Sequence, residues 1–96
     1  MSIFKRFIAK RKERLNQRRQ ELFLKVCDIV VKLLKIQDPE KIKLETRFKE
    51  DLNIDSLDAL ELMMELESAF CLEIPDDDAE NLFTIQDVIE YLEKKI

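Results

Sequence analysis

Residues 51–70 read Asp51-Leu52-Asn53-Ile54-Asp55-Ser56-Leu57-Asp58-Ala59-Leu60-Glu61-Leu62-Met63-Met64-Glu65-Leu66-Glu67-Ser68-Ala69-Phe70. Ala59, Leu62, Met63, Leu66 and Phe70 recur at helical spacing, which predicts a helix with one inner stripe. Asp55 is its expected N-cap, and Asp58, three residues on, places negative charge in the first turn. Ser56 then stands at the positive end of the helix dipole, where a phosphate on its side chain is favoured. The chain has no histidine, so the usual base that would make this serine a nucleophile is missing. A hydroxyl suited to holding a phosphate, with nothing to activate it, points to attachment rather than catalysis.

Helical periodicity continues on both sides. Leu22, Val26, Ile29, Val30 and Leu33 form one stripe and predict a first helix from near Gln20 to Ile36. Asp38-Pro39 is expected to end it, because a residue before proline is pushed out of the α region. Residues 37–55 make a long connection pinned by Ile42, Leu44, Phe48, Leu52 and Ile54, and connections of this length are often functional. A short helix is expected after Pro75, with Asp76 as cap and Ala79, Leu82 and Phe83 inward. Thr84 and Asp87 have the spacing of a capping box and open a last helix through Ile85, Val88, Ile89, Leu92 and Ile96. The expected fold is all-α, a four-helix bundle of three longer helices and one short one.

Composition agrees. Ninety-six residues make one small domain. With no glycine and two prolines, a hairpin-rich β fold is disfavoured. No apolar run approaches the ~20 residues needed to span a bilayer. Cys27 and Cys71 are far apart with no CxxC pattern, so structural roles in a reducing compartment are expected. Asp76-Asp77-Asp78 with Glu80 lacks the ligand spacing and glycine of an EF-hand, so no metal site is expected.

Net charge is −4, but its distribution is uneven. Residues 1–20 hold eight bases and one acid, 8 − 1 = +7, while residues 21–96 hold nine bases and twenty acids, 9 − 20 = −11. Such asymmetry marks a segment with its own partner.

The run Asp51 to Asp58, then Glu61-Leu62, Leu66-Glu67 and Phe70, then Ile74-Pro75-Asp76-Asp77-Asp78-Ala79-Glu80, with Thr84 and Asp87 through Tyr91, resembles the acyl carrier proteins in residue order. The likeness covers residues 21–96, most strongly 47–92. It implies that Ser56 carries 4′-phosphopantetheine, whose thiol holds an acyl chain. It also implies a recognition face for basic-faced acyl-processing enzymes and a phosphopantetheinyl transferase. The residues for that face are Asp55, Leu57, Asp58, Leu60, Glu61, Met64, Glu67, Asp76 and Asp77. Acids would steer the encounter while Leu57, Leu60 and Met64 give desolvated contact.

The same likeness implies an interior that parts for the acyl chain, with Phe48, Ala59, Leu62, Met63, Leu66, Phe70, Ile74, Ala79, Leu82 and Tyr91 as candidates. Methionine at position 63 suits a wall that repacks. Where the family commonly has glycine this chain has Asn53, which tolerates the left-handed conformation. The implied protein is a monomeric carrier, not an enzyme, in fatty acid or specialised lipid synthesis, in the bacterial cytosol or an organelle matrix. Aminoacyl, D-alanyl or polyketide carriers, and a structural subunit of a larger complex, share these features.

Residues 1–19 lie outside the resemblance and form a basic extension to a domain of residues 20–96. Ile3, Phe4, Phe7 and Ile8 make an apolar patch among Lys5, Arg6, Lys10, Arg11 and Lys12. That pattern suits lipid or partner docking. A targeting peptide would be richer in serine, and the acidic domain would repel nucleic acid. Ile8, Leu15, Leu22 and Ile29, spaced by seven, also allow the extension to continue the first helix as one rod.

Overall fold

A computed structural model of the chain describes residues 3–95, with side chains described from residue 18 to residue 95. Four helices follow one another: α1 (Ile3–Leu34), α2 (Ser56–Phe70), α3 (Asp76–Ala79) and α4 (Ile85–Lys95), with a 3-10 turn at Pro39–Lys41. Three are long and one is a single turn, the architecture expected of the sequence.

Helix α1 begins well before Gln20, so the basic segment runs into the domain helix without a break. Its composition explains this: residues 3–20 are rich in Arg and Lys, both good helix formers, and contain neither glycine nor proline. The side chains of the heptad positions Ile8 and Leu15 lie outside the described residues. The other end also differs from expectation. The helix stops at Leu34 rather than Ile36, because Lys35 turns left-handed at φ 55° and the Ile36 amide donates back to the Val31 carbonyl at 3.1 Å. This local cap acts before Asp38-Pro39 is reached.

The core is built from three helices and the long connection. Leu22, Val26 and Val30 of α1 meet Leu62 and Leu66 of α2 and Ile85, Val88, Ile89 and Leu92 of α4, with Ile42, Phe48 and Ile74 sealing the ends. Each such side chain contributes roughly 1.5–3 kcal/mol when fully buried. Ile29 and Leu33 of the expected α1 stripe are only half-buried. Cys27 is half-buried and Cys71 exposed, both as free thiols, and burial pushes the Cys27 thiol up from its ordinary range.

The connection of residues 37–55 is fastened to the start of α4. The Leu44 carbonyl accepts from Gln86 at 2.9 Å, Thr46 from Ile85 at 3.1 Å, and the Phe48 amide donates to Phe83 at 3.0 Å. Arg47 and Thr84 form an isolated antiparallel bridge. Buried Thr46 turns its hydroxyl to the Lys43 amide at 2.8 Å. The α4 capping box is present as expected: the Asp87 amide donates to Thr84 Oγ1, and Asp87 Oδ2 accepts from the Thr84 amide, both at 3.1 Å. Ile96, expected to close the α4 stripe, lies outside the described residues.

Candidate functional site

Asp55 caps α2 from an extended backbone, and its Oδ1 accepts from the Asp58 amide at 2.8 Å. The Asp58 carboxylate returns the bond, accepting from the Asp55 amide at 3.2 Å. This reciprocal box is made by two aspartates, a shorter version of the usual Ser/Thr–Glu pair. It relieves Ser56 of any capping duty, so the serine occupies the first helical position, exposed. Asn53 turns the chain into this cap with φ 53°, the left-handed conformation expected of it.

Among the described residues, the Ser56 and Leu57 amides have no hydrogen-bond acceptor, whereas the next two, Asp58 and Ala59, bond to Asp55. Two open N–H groups at a helix start attract phosphate oxygens. An O-linked phosphodiester on Ser56 therefore finds donors and a favourable dipole beside it.

Ser56 also stands at the rim of two clefts. One, about 430 Å³, runs between α2 and α3 and is lined by Phe48, Ala59, Leu62, Met63, Ile74, Ala79 and Leu82 among others. The second, about 470 Å³, shares Phe48, Ile54, Ala59 and Leu82 with the first and reaches Lys49 and Phe83. Seven of the ten residues expected around an acyl chain thus converge on the first cleft. Three do not line it. Leu66 is fully buried, Phe70 sits at the far end of α2 beneath the Lys25 ammonium, 5.7 Å from its ring centroid, and Tyr91 is engaged with α3.

The Tyr91 hydroxyl donates to Asp78 Oδ2 at 2.8 Å. Burial, then this hydrogen bond and the charges of Asp78 and Glu67, push the Tyr91 phenol up to about 12. Helix α3 starts at Asp76 with Pro75 in the cap position. Asp76 is therefore a first-turn residue rather than the expected cap, and the cap position, held by Pro75 in extended conformation, makes no side-chain hydrogen bond.

The outer row of α2 is open. Leu57, Leu60 and Met64 are 61%, 56% and 59% exposed, and Glu61 and Glu65 are exposed beside them. Asp76 and Asp77 are also exposed, on α3. Glu67 is turned the other way, half-buried, with its Oε2 accepting from the Ile74 amide at 3.3 Å. Asp58 is half-buried and committed to the cap. Phe83, expected inside, is 64% exposed: its carbonyl accepts from Phe48 and its amide donates to Asp87, which fixes the backbone there without burying the ring. Sequence reasoning missed Ile54 and Leu60 as cleft residues; their places beside and one turn after Ser56 were the available signal.

A family model described as the phosphopantetheine attachment site matches residues 24–92. The acyl carrier protein of Bdellovibrio bacteriovorus is 58% identical over 71 residues, 74% of this chain and 90% of that protein. That of Campylobacter concisus is 52% identical over 73 residues, covering 76% and 94%. Among solved structures, a protein assigned as an acyl carrier protein in Mycobacterium tuberculosis superposes with a TM-score of 0.72 at 25% identity, covering 78% of this chain and 99% of that one. With this fold, this helix start and these relatives, the chain belongs to the acyl carrier protein family, whose members are carriers with a covalently attached 4′-phosphopantetheine and not enzymes.

Proposed function

We propose that the chain carries acyl groups as thioesters on a 4′-phosphopantetheine arm attached to Ser56, in fatty acid or specialised lipid synthesis. The observation that carries this reading is the start of α2: an exposed serine, freed from capping by Asp55, beside two open amides and on the rim of both clefts. The arm, when bound, supplies the thiol that holds the acyl group. The protein supplies attachment, shelter and recognition. Phe48, Ala59, Leu62, Met63, Ile74, Ala79 and Leu82 offer an apolar cleft, in which a half-buried methionine can move aside.

Leu57, Leu60 and Met64, set among Glu61 and Glu65, suit contact with basic-faced partners, a phosphopantetheinyl transferase among them. Asp55, Asp76 and Asp77 extend the negative field on the same side of Ser56. Glu67 and Asp58 act here through the backbone they hold. Residues 3–19 form a separate contact region away from that face. Among the described residues no helix is long and apolar enough to cross a membrane.

Incubation with a phosphopantetheinyl transferase and coenzyme A tests the attachment. The parent gains the mass of the arm, while Ser56→Ala gains none and keeps its helical circular dichroism, since Asp55 retains the cap. A mass gain persisting in Ser56→Ala would sink the assignment.

A further inference from the structure

We infer that residues 3–19 are a basic helical strut that docks the carrier by its tip on an anionic lipid surface, with Ser56 held at the opposite pole. The inference rests on the reading of residues 3–19 as a contact region, and is independent of cofactor loading.

The poles are fixed by contacts within the domain. Arg19 pairs with Glu93 at 2.9 Å and Glu90 at 3.7 Å, near the C-terminal end of α4. Lys25 lies over Phe70, at the C-terminal end of α2. The stretch of α1 around residues 19–25 therefore runs beside the ends of α2 and α4 farthest from Ser56. The rise of α2 from Ser56 to Phe70 is about 21 Å. From this far pole α1 continues outward to Ile3, and residues 3–19 add about 25 Å at helical rise. The molecule is accordingly long, 53 × 30 × 19 Å, with a radius of gyration of 15.4 Å, against about 12–13 Å for a compact chain of this length. A helix that leaves the bundle in this direction does not fold back over the outer face of α2.

Charge and patterning select the surface. Residues 1–20 carry +7 and residues 21–96 carry −11. A strut of about 25 Å exceeds the Debye length of about 8 Å at physiological salt, so the domain's acids do not cancel the attraction at the tip. Positions 3, 4, 7 and 8 share one face of the first two turns and are all large and apolar, while Lys5, Arg6, Lys10, Arg11 and Lys12 stand around them. A nucleic-acid backbone would satisfy the bases and leave two phenylalanines without a place. A lipid interface takes both. Each base near such a surface multiplies affinity about fivefold.

The test uses the full-length chain, in the apo form, co-sedimented with vesicles of phosphatidylcholine with or without phosphatidylglycerol. Binding is expected only to the phosphatidylglycerol vesicles and is expected to weaken with added salt. Phe4→Asp with Phe7→Asp should lower partitioning at least about tenfold, and Lys10→Gln, Arg11→Gln and Lys12→Gln together about a hundredfold. Ser56→Ala should bind as the parent does, and vesicle-bound parent should accept the phosphopantetheine arm as fast as free protein. Equal pelleting on both vesicle types, or Phe4/Phe7 and Lys10/Arg11/Lys12 variants that bind like the parent, would overturn the proposal. A tenfold slower loading on vesicles would overturn the polar arrangement. Sedimentation velocity showing a dimer in the absence of lipid that Phe4→Asp abolishes would assign the tip to a second copy instead. Failure of the parent to take up the arm would overturn the reading of Ser56 and leave this one standing.

Discussion

Helices α2 and α4 open alike and are used differently. Each starts with a box in which an aspartate three residues in returns a bond to the cap, Asp58 to Asp55 and Asp87 to Thr84. In α4 every amide of the first turn also finds an acceptor: Thr46 takes Ile85, Leu44 takes Gln86, and Thr84 takes Asp87 and Val88. Its apolar residues Ile85, Val88, Ile89 and Leu92 are all essentially inaccessible. In α2 the same device leaves the Ser56 and Leu57 amides open and keeps only Leu62 and Leu66 fully buried. A helix whose start is closed by neighbouring backbone serves the core. One whose start is left open can present a modified side chain. The difference comes from the connection of residues 37–55, whose Leu44 and Thr46 carbonyls go to the start of α4, while only its last residue, Asp55, bonds to the start of α2.

The largest effect that would test this division is in the core of α4. Ile89→Ala should cost about 2–5 kcal/mol in urea unfolding, whereas Leu60→Ala on α2 should stay within about 0.5 kcal/mol. Comparable costs would show that the outer row of α2 is structural. Next comes charge reversal on α2. Glu61→Lys with Glu65→Lys should slow loading by a phosphopantetheinyl transferase about tenfold at low salt without changing the melting temperature. Asp58 is left alone because it holds the cap.

Tyr91 ties α4 to α3, and Tyr91→Phe should cost about 1 kcal/mol at neutral pH. Its phenol is held neutral in the fold, pushed from 10 up to about 12, so its contribution is whole below pH 10 and lost as pH rises from 10 to about 12. The gap in stability between parent and Tyr91→Phe should therefore close over that range, and a gap that stayed constant would remove Tyr91 as the link. The smallest effect expected is at Cys71, left-handed at φ 53° after α2. Cys71→Gly should raise stability by about 1 kcal/mol by relieving that conformation; a lower melting temperature would mean that the cysteine side chain packs usefully there.

Periodicity made the α2 and α4 stripes legible, because a buried face repeats every 3.6 residues wherever the partner is another helix. The Asp55 cap, the Thr84–Asp87 box and the left-handed Asn53 could be read for a similar reason, since they depend on neighbours within four residues; the bond that Asp58 returns to Asp55 was legible only as first-turn charge. Where the sequence misled, the cause was an interaction with something distant or an unusual local choice. Phe83 reads as apolar and inward, yet its backbone is committed to Phe48 and Asp87. Glu67 sits in an acidic row and is drawn inward by the Ile74 amide. The end of α1 was misplaced because lysine rarely takes the left-handed position that Lys35 occupies. Ser56 was legible from its position after a strong cap, while its place on the rim of two clefts required the path of residues 48–54.

The fastening of residues 44–48 to the start of α4 also divides the molecule by mechanical resistance. That connection, α4 and the domain part of α1 share backbone bonds or a fully buried core, so their amides should exchange with deuterium only when the whole domain opens. Helix α3 is one turn long, without a side-chain cap, and its side-chain tethers are the Tyr91–Asp78 and Asn81–Asp77 bonds. Its amides should exchange first, by a local opening that needs none of the α1–α4 packing to yield. The cleft beside Ser56 therefore has one soft wall and one hard one, and a chain of growing length would enlarge it by displacing α3 while the rest of the domain keeps its shape.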